Sequence, residues 1–105
     1  MQVRKARETD LDGIIRLYAC LHLHHVAEPH FETKCAWRKI VHSRTSTVFV
    51  AELDGLLVST CMVAILPSFA KGGHPIGVIE HVVTLEEFRG QGFARDTMSA
   101  AISYA

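Results

Sequence analysis

The chain has 105 residues, no net charge at neutral pH and 21% charged side chains. This balance predicts a single soluble globular domain over residues 1–105 and excludes the dense basic patch typical of nucleic-acid-binding proteins. No apolar run approaches the roughly 18 to 20 residues needed to cross a bilayer, and the N-terminus lacks the apolar core of a signal peptide, so no membrane partner and a cytoplasmic location are expected.

The first part of the chain predicts a short strand followed by two helices. Residues 3–7 alternate as a strand does, and Thr9-Asp10 begins a helix whose apolar side chains recur at helical spacing. A second helix is predicted over residues 32–42, with Trp37 on its apolar face.

The segment between these helices is rich in histidine, and its histidines raise the question of a metal site: His22, His24, His25 and His30. Zinc sites usually add a cysteine or carboxylate at tight spacing, and only Cys20 and Glu28 are near. We therefore predict no metal. A polar lining at the end of the first helix and a solvated helix end are the two alternatives.

The cysteines are odd in number and lie within apolar patterns: Cys20, Cys35 and Cys61. Such positions predict small buried side chains and no disulfide framework.

The middle of the chain predicts three antiparallel strands. Residues 47–53 and 56–66 flank Asp54-Gly55, a dipeptide typical of tight hairpins. After a loop, residues 77–84 predict the third of these strands.

The most informative segment is a glycine-bracketed turn that leaves this strand and enters a helix starting at Gly92. Gly90 and Gly92 have no Cβ, so the backbone can turn tightly and approach a ligand. The first N–H groups of the helix, its dipole and Arg89 together suit a phosphate or pyrophosphate. Position 95 is arginine, so the dinucleotide fingerprint G-x-G-x-x-G is absent, and no Gly-Lys-Ser/Thr completes a P-loop.

The turn does match the pattern Gln/Arg-x-x-Gly-x-Gly/Ala, filled by Arg89, Gly92 and Ala94 and preceded by the strand 78–84. This resembles the acetyl-CoA signature of the GNAT N-acetyltransferase superfamily. The resemblance is specific over residues 76–105 and weaker, though in register, before them.

The resemblance implies an α/β (α+β) fold, with a mixed, mostly antiparallel sheet flanked by helices in the order β-α-α-β-β-β-α. Members of the family typically continue with a fifth strand, another helix and two more strands, so the implied domain is truncated before the fifth strand. An open sheet edge at the fourth strand favours pairing with another polypeptide, and we expect a homodimer.

The resemblance also implies which groups hold acetyl-CoA, the expected cosubstrate. In the family the pantetheine arm lies along the fourth strand, which by register points to the backbone of Val82, Val83 and Thr84. The pyrophosphate is implied to bind the amides of the turn: Arg89, Gly90, Gln91, Gly92, Phe93 and Ala94.

Two residues of the same strand are candidates for the catalytic base. Glu80 is the first, acting through water, because this position often carries a functional glutamate in the family, and His81 is the second. Strand alternation predicts that they point to opposite faces, so that one of them faces the acceptor. The alternatives are a solvated or salt-bridged Glu80 and a partly buried, satisfied His81. Tyr18 and Tyr104 lie on predicted helices, where packing is the default role, and neither is assigned to catalysis.

The implied activity is transfer of an acetyl group to a primary amine of a small molecule by direct attack on the thioester. The strand 77–83 is similar to the corresponding strand of glucosamine-phosphate N-acetyltransferases, which favours a small-molecule acceptor. Two other classes of function are considered: a non-catalytic or truncated CoA-binding or regulatory module, and a nucleotide-binding protein that uses the same turn.

Overall fold

The computed structural model describes residues 2–20, 31–66, 72–73 and 75–104. Within these ranges the helices and strands are, in chain order, β1 (Gln2–Lys5), α1 (Leu11–Ala19), α2 (Phe31–Val41), β2 (Ser46–Leu53), β3 (Leu56–Leu66), β4 (Ile76–Thr84) and α3 (Phe93–Tyr104). The strands form one antiparallel sheet in the order β1-β2-β3-β4. The predicted element order and the α/β fold class are confirmed. None of the helices in these ranges combines the length and apolar character that crossing a bilayer requires.

The helices lie on opposite faces of this sheet. Val50 of β2 belongs to a core cluster with Leu17 of α1 and Trp37 of α2. Its neighbour Phe49 packs in a second cluster with Ala101 of α3. Because successive side chains of a strand point to opposite faces, α1 and α2 cover one face and α3 covers the other.

Both helices on the first face are held closely to the rest of the fold. A Cβ at Gly13 of α1 would lie 2.7 Å from Cδ1 of the buried Leu57, so glycine permits the close approach of α1 to the sheet. The indole Nε1 of Trp37 donates to the carbonyls of Arg7 and Glu8 at 3.3 and 3.1 Å, which ties α2 to the segment before α1.

A half-buried ion pair fixes β1 to the same segment. Nη1 of Arg4 lies 2.8 Å from Oδ2 of Asp10, and Nε of Arg4 lies 3.3 Å from Oε1 of Glu52. Burial acts to raise the pKa of Asp10, but hydrogen bonds from Arg4 and from the Arg7 N–H outweigh it, so the pKa is lowered. The start of α1 is therefore anchored to the sheet by charge as well as by apolar packing.

Candidate functional site

Between β4 and α3 the chain makes a turn in which two glycines adopt the left-handed backbone conformation. The φ angles are 80° at Gly90 and 85° at Gly92, a region that costs a residue with a Cβ about 1–2 kcal/mol. A Cβ at Gly90 would meet no protein atom within 4 Å, whereas one at Gly92 would lie 2.8 Å from Nη2 of Arg95. The turn thus has an open side at Gly90 where a ligand can approach the backbone.

The start of α3 presents backbone donors on this turn. The Gly92 carbonyl accepts the N–H of Asp96 at 3.0 Å, so Gly92 occupies the N-cap position just before the first residue of α3, Phe93. The first N–H groups of a helix have no intrahelical acceptor. Among the amides predicted to bind the pyrophosphate, that of Arg89 already has a protein acceptor, because its N–H donates to the Glu86 carbonyl at 3.3 Å. The other predicted amides follow one another through the turn into the helix: Gly90, Gln91, Gly92, Phe93 and Ala94.

Aromatic packing anchors both ends of the turn. Phe93 is 8% exposed and belongs to the core cluster. Its ring meets that of Phe88 edge to face, with centroids 6.0 Å apart. Just before the turn, the N–H of Leu85 donates to the Val58 carbonyl on β3 at 2.9 Å. The backbone donors are therefore held in place before any ligand arrives.

A buried pair of hydroxyls lies at the end of β4, just before the turn. Oγ of Ser59 lies 2.9 Å from Oγ1 of Thr84, and Ser59 donates to the Val83 carbonyl at 3.2 Å. Nε of Arg89 donates to the Thr84 carbonyl at 3.2 Å, so the arginine side chain braces the turn against the end of β4. Ser59 was not among the predicted site residues. Its signal in the sequence is that it forms, with Thr60, a pair of hydroxyl residues inside an apolar run.

The three residues predicted to contact pantetheine lie at the edge of the sheet. β4 is last in the strand order, so within the described ranges no strand covers its outer edge. The Val83 carbonyl points toward β3, where it accepts the Ser59 hydroxyl. Backbone groups of consecutive strand residues point to opposite edges, and Thr84 accordingly directs its carbonyl outward to Arg89. Val82 lies in an irregular part of the strand.

That irregularity is a β-bulge. On β3 one residue separates the partners of Glu80 and Val83, whereas on β4 two residues, His81 and Val82, stand between them. His81 has a φ of 54°, which is uncommon for a residue other than glycine. The inserted residue bends the strand and changes where its side chains point.

The bulge shows that the prediction of opposite faces for Glu80 and His81 is wrong. Nε2 of His81 lies 3.9 Å from Oε2 of Glu80, and the His81 ring packs on Tyr18 of α1 with centroids 5.6 Å apart. Regular alternation fails because the extra residue shifts the side chains that follow it. Glu80 pairs with Met62, which packs on the cluster under α1 and α2, and His81 contacts Tyr18 of α1, so both lie on the face that α1 covers. Both keep substantial exposure, 53% for Glu80 and 43% for His81.

Two titratable groups lie near this pair, the half-buried Tyr18 and the buried Cys61. Burial raises the pKa of the Tyr18 phenol. Burial also raises the pKa of the Cys61 thiol to about 11, and Sγ of Cys61 contacts the Thr97 carbonyl at 3.6 Å. A thiol with that pKa carries almost no thiolate at neutral pH, so Cys61 is not a nucleophile.

The remaining cysteines and histidines carry no site that the structure describes. Cys61 is buried as predicted, but Cys35 is exposed on α2, because that helix buries few of its side chains. Cys20 is half-buried. In the part of the chain that the structure describes, no three histidine, cysteine or carboxylate side chains converge as a metal-ligand set. Five of the seven histidines lie outside the described residues: His22, His24, His25, His30 and His74.

A depression of about 440 Å³ lies away from these groups, between the start of α1 and α2. Trp37 forms part of its wall, and charges of both signs surround it, including Asp12, Lys34 and Arg38. None of the predicted site residues lines it.

Comparison with known proteins decides the family. The profile of the Acetyltransferase (GNAT) family matches residues 11–105. The chain belongs to the GNAT family. The predicted family is thereby confirmed. A search of curated protein sequences found no match.

Solved GNAT-like structures share the fold over nearly the whole chain. A protein from Agrobacterium tumefaciens str. C58, provisionally named an acetyltransferase, is 31% identical with a TM-score of 0.86, and the match covers 100% of this chain and 73% of that one. Glucosamine-6-phosphate N-acetyltransferase from Arabidopsis thaliana is 22% identical with a TM-score of 0.86, covering 98% and 72%. AAC(6')-Iy, solved with a bisubstrate analogue containing CoA, is 21% identical with a TM-score of 0.81, covering 98% and 69%.

Proposed function

We propose that this GNAT protein is an acetyl-CoA-dependent N-acetyltransferase that acts on a primary amine of a small molecule. The observation that carries the proposal is the left-handed glycine turn between β4 and α3. Its open side lies next to the first backbone amides of α3. The exposed Glu80 and His81 lie on the same strand. A binding surface for a CoA pyrophosphate and a group able to take a proton are thus close along the chain.

The residues of the turn fit a pyrophosphate. A side chain at Gly90 would enter space that no protein atom occupies within 4 Å, so the space beside the backbone is open to an anion. Helix N-termini attract phosphate through unpaired N–H groups and the helix dipole. The N–H and the Nε of Arg89 donate to the carbonyls of Glu86 and Thr84, so we assign Arg89 the role of stabilising the turn. The amides from Gly90 to Ala94 are the proposed ligands.

When bound, acetyl-CoA supplies the thioester that the amine attacks. An ammonium group cannot attack, so the protein must remove a proton from the acceptor first. We assign this task to the Glu80 carboxylate, acting directly or through water, with His81 as the second candidate. An N–C bond forms and the C–S bond breaks. Of the two protons that an ammonium acceptor loses, one leaves through Glu80 and the other ends on the CoA thiol.

A small-molecule acceptor is supported by two observations of different kinds. The run Glu80-x-Val82-Val83 resembles the corresponding strand of glucosamine-phosphate N-acetyltransferases. Solved proteins with the same fold are named for glucosamine 6-phosphate, an amino sugar, and for aminoglycosides, which contain amino sugars. We therefore propose an amino sugar or a similar small primary amine, acetylated in the cytoplasm.

A second candidate function is a CoA-binding module without transferase activity. The observation that favours it is the glycine turn, whose open side gives CoA access to backbone amides without help from an acceptor site. The outer edge of β4, which no strand covers within the described ranges, is where we propose that two copies pair as a homodimer. Sedimentation velocity over a tenfold range of concentration tests this, since a monomer at every concentration contradicts pairing.

Isothermal titration with acetyl-CoA and, separately, with ATP tests the proposal. Binding of acetyl-CoA without binding of ATP supports the CoA site, and preference for ATP contradicts it. A panel of glucosamine 6-phosphate, neamine and an alanine-terminated peptide, followed by release of free CoA thiol, then separates the candidates. Transfer to an amino sugar supports the enzyme, transfer to the peptide alone contradicts the small-molecule acceptor, and acetyl-CoA binding without transfer favours the module.

A further inference from the structure

His81 adopts a backbone conformation that a histidine does not favour by itself. Its φ of 54° lies in the left-handed region, inside a strand that is otherwise extended. Such a conformation costs free energy and persists only when the surrounding contacts hold it. The contacts of the His81 side chain therefore matter for the shape of β4.

The aromatic ring of Tyr18 supplies the main contact. Its centroid lies 5.6 Å from that of the imidazole, with the planes inclined by 35°. Tyr18 is itself half-buried on α1, and α1 is pressed against the sheet where Gly13 meets Leu57. The ring thus belongs to a rigid helix and not to a loop.

The other contact of the imidazole is with the carboxylate of Glu80. Nε2 of His81 and Oε2 of Glu80 are 3.9 Å apart, so the imidazole lies between the Tyr18 ring and the proposed base. Contact with the Tyr18 ring restricts the side-chain rotamers of His81 and so limits where its nitrogen can point.

We infer that Tyr18 is a positioning residue, which holds His81 in the bulge so that the Glu80–His81 pair faces the amine acceptor. The inference rests on the proposed function. The proton taken from the ammonium group passes to the Glu80 carboxylate and from there to Nε2 of His81 or to water, and Tyr18 exchanges no proton. Its contribution is the placement of the imidazole.

The test compares Tyr18→Leu, which removes the ring, with Tyr18→Phe, which keeps it. Tyr104→Leu is the matched control, because Tyr104 is also a helical tyrosine with a ring contact at 5.6 Å, but its partner is Phe49. The first readout is the NMR signals of the His81 ring protons, assigned by their loss in His81→Asn. The second is kcat and the KM for acetyl-CoA, with glucosamine 6-phosphate as the probe acceptor.

We expect Tyr18→Leu to move the His81 signals and to lower kcat about tenfold at unchanged KM for acetyl-CoA. Tyr18→Phe should restore both, and Tyr104→Leu should change neither. Unchanged His81 signals and kcat in Tyr18→Leu would overturn the inference. An equal loss of kcat in Tyr104→Leu would also overturn it, because a general loss of packing would then explain the effect.

The wild-type protein gives a test that does not depend on whether the variants fold. Nuclear Overhauser contacts between the ring protons of Tyr18 and His81 should be present, and their absence overturns the inference. A wild type that transfers acetyl groups to no amine contradicts the proposed function instead, and the ring contacts then still decide whether Tyr18 positions His81.

Discussion

The glycine turn and the bulge of β4 both use left-handed backbone, but they do so with different residues. Gly90 and Gly92 have φ angles of 80° and 85°, whereas His81 reaches 54° with a full side chain. Glycine takes such angles with little strain, and its missing Cβ leaves the backbone open. Histidine takes them under strain and keeps an imidazole at the strained point. The turn is built to expose backbone, and the bulge is built to aim side chains.

The largest effect should come from the bulge, because its side chains are proposed to act on the acceptor. Glu80→Gln removes the proton acceptor and keeps the shape, so kcat should fall about 100-fold or more while acetyl-CoA affinity is unchanged. Steady-state kinetics and calorimetry measure the two quantities. The matched control is Glu87→Gln, an exposed glutamate beside the turn that should keep wild-type kinetics. A wild-type rate in Glu80→Gln removes Glu80 from the mechanism.

In the glycine turn, Gly90→Ala should weaken acetyl-CoA binding about tenfold, which corresponds to about 1.4 kcal/mol. The methyl group enters the open side of the turn, where the pyrophosphate is proposed to bind. Gly55→Ala is the control, because Gly55 has a φ of 82° and equally empty surroundings but lies in the β2–β3 hairpin. Both variants should lose about 1–2 kcal/mol of stability. Equal affinities in the two variants would show that the turn does not bind the cosubstrate.

A smaller effect is expected below the turn at Ser59. Ser59→Ala removes the hydroxyl that partners Thr84 and Val83, so the unfolding free energy should fall by about 1–2 kcal/mol and acetyl-CoA affinity by a few-fold. Thr60→Val is the control, since its hydroxyl bonds the Phe49 carbonyl on the other side of the strand. It should cost similar stability in urea unfolding without changing affinity. A loss of affinity in both variants would mean that Ser59 has no specific link to the turn.

The smallest effect concerns the strain itself. His81→Gly should change the unfolding free energy by less than about 1 kcal/mol, because relief of the left-handed strain offsets the added chain entropy. Val78→Gly, in the regular part of β4, gains no such relief and should be clearly more destabilising. Urea unfolding of both variants measures the difference. Equal destabilisation would show that the bulge carries little strain.

These two regions also show what the sequence can reveal. The turn was predicted to the residue, because glycine spacing after an apolar strand has few structural explanations. The strand β4 was predicted as well, but with unbroken alternation. Histidine is enriched several-fold in the left-handed region but still adopts it rarely, so its presence in an apolar strand does not by itself predict an inserted residue. The shared face of Glu80 and His81 depends on pairing with β3, which local patterns do not contain.

Interactions between residues far apart in the sequence could likewise not be predicted. Ser59 and Thr84 are 25 positions apart, and their hydroxyls meet only because β3 and β4 pair in one register. Tyr18 was predicted to pack on its helix, and packing is what it does. The spacing of residues in the sequence does not predict that Tyr18 contacts His81. That contact between α1 and β4 depends on the close approach of α1 to the sheet, which Gly13 permits.

The most direct test of the account follows the backbone amides of ¹⁵N-labelled protein by NMR during titration with acetyl-CoA. We predict that the largest amide chemical-shift changes occur in the turn and the first residues of α3, from Gly90 to Ala94. Further changes should occur along the outer edge of β4. Shifts concentrated around the depression at Trp37, with the amides of the turn unmoved, would contradict the account.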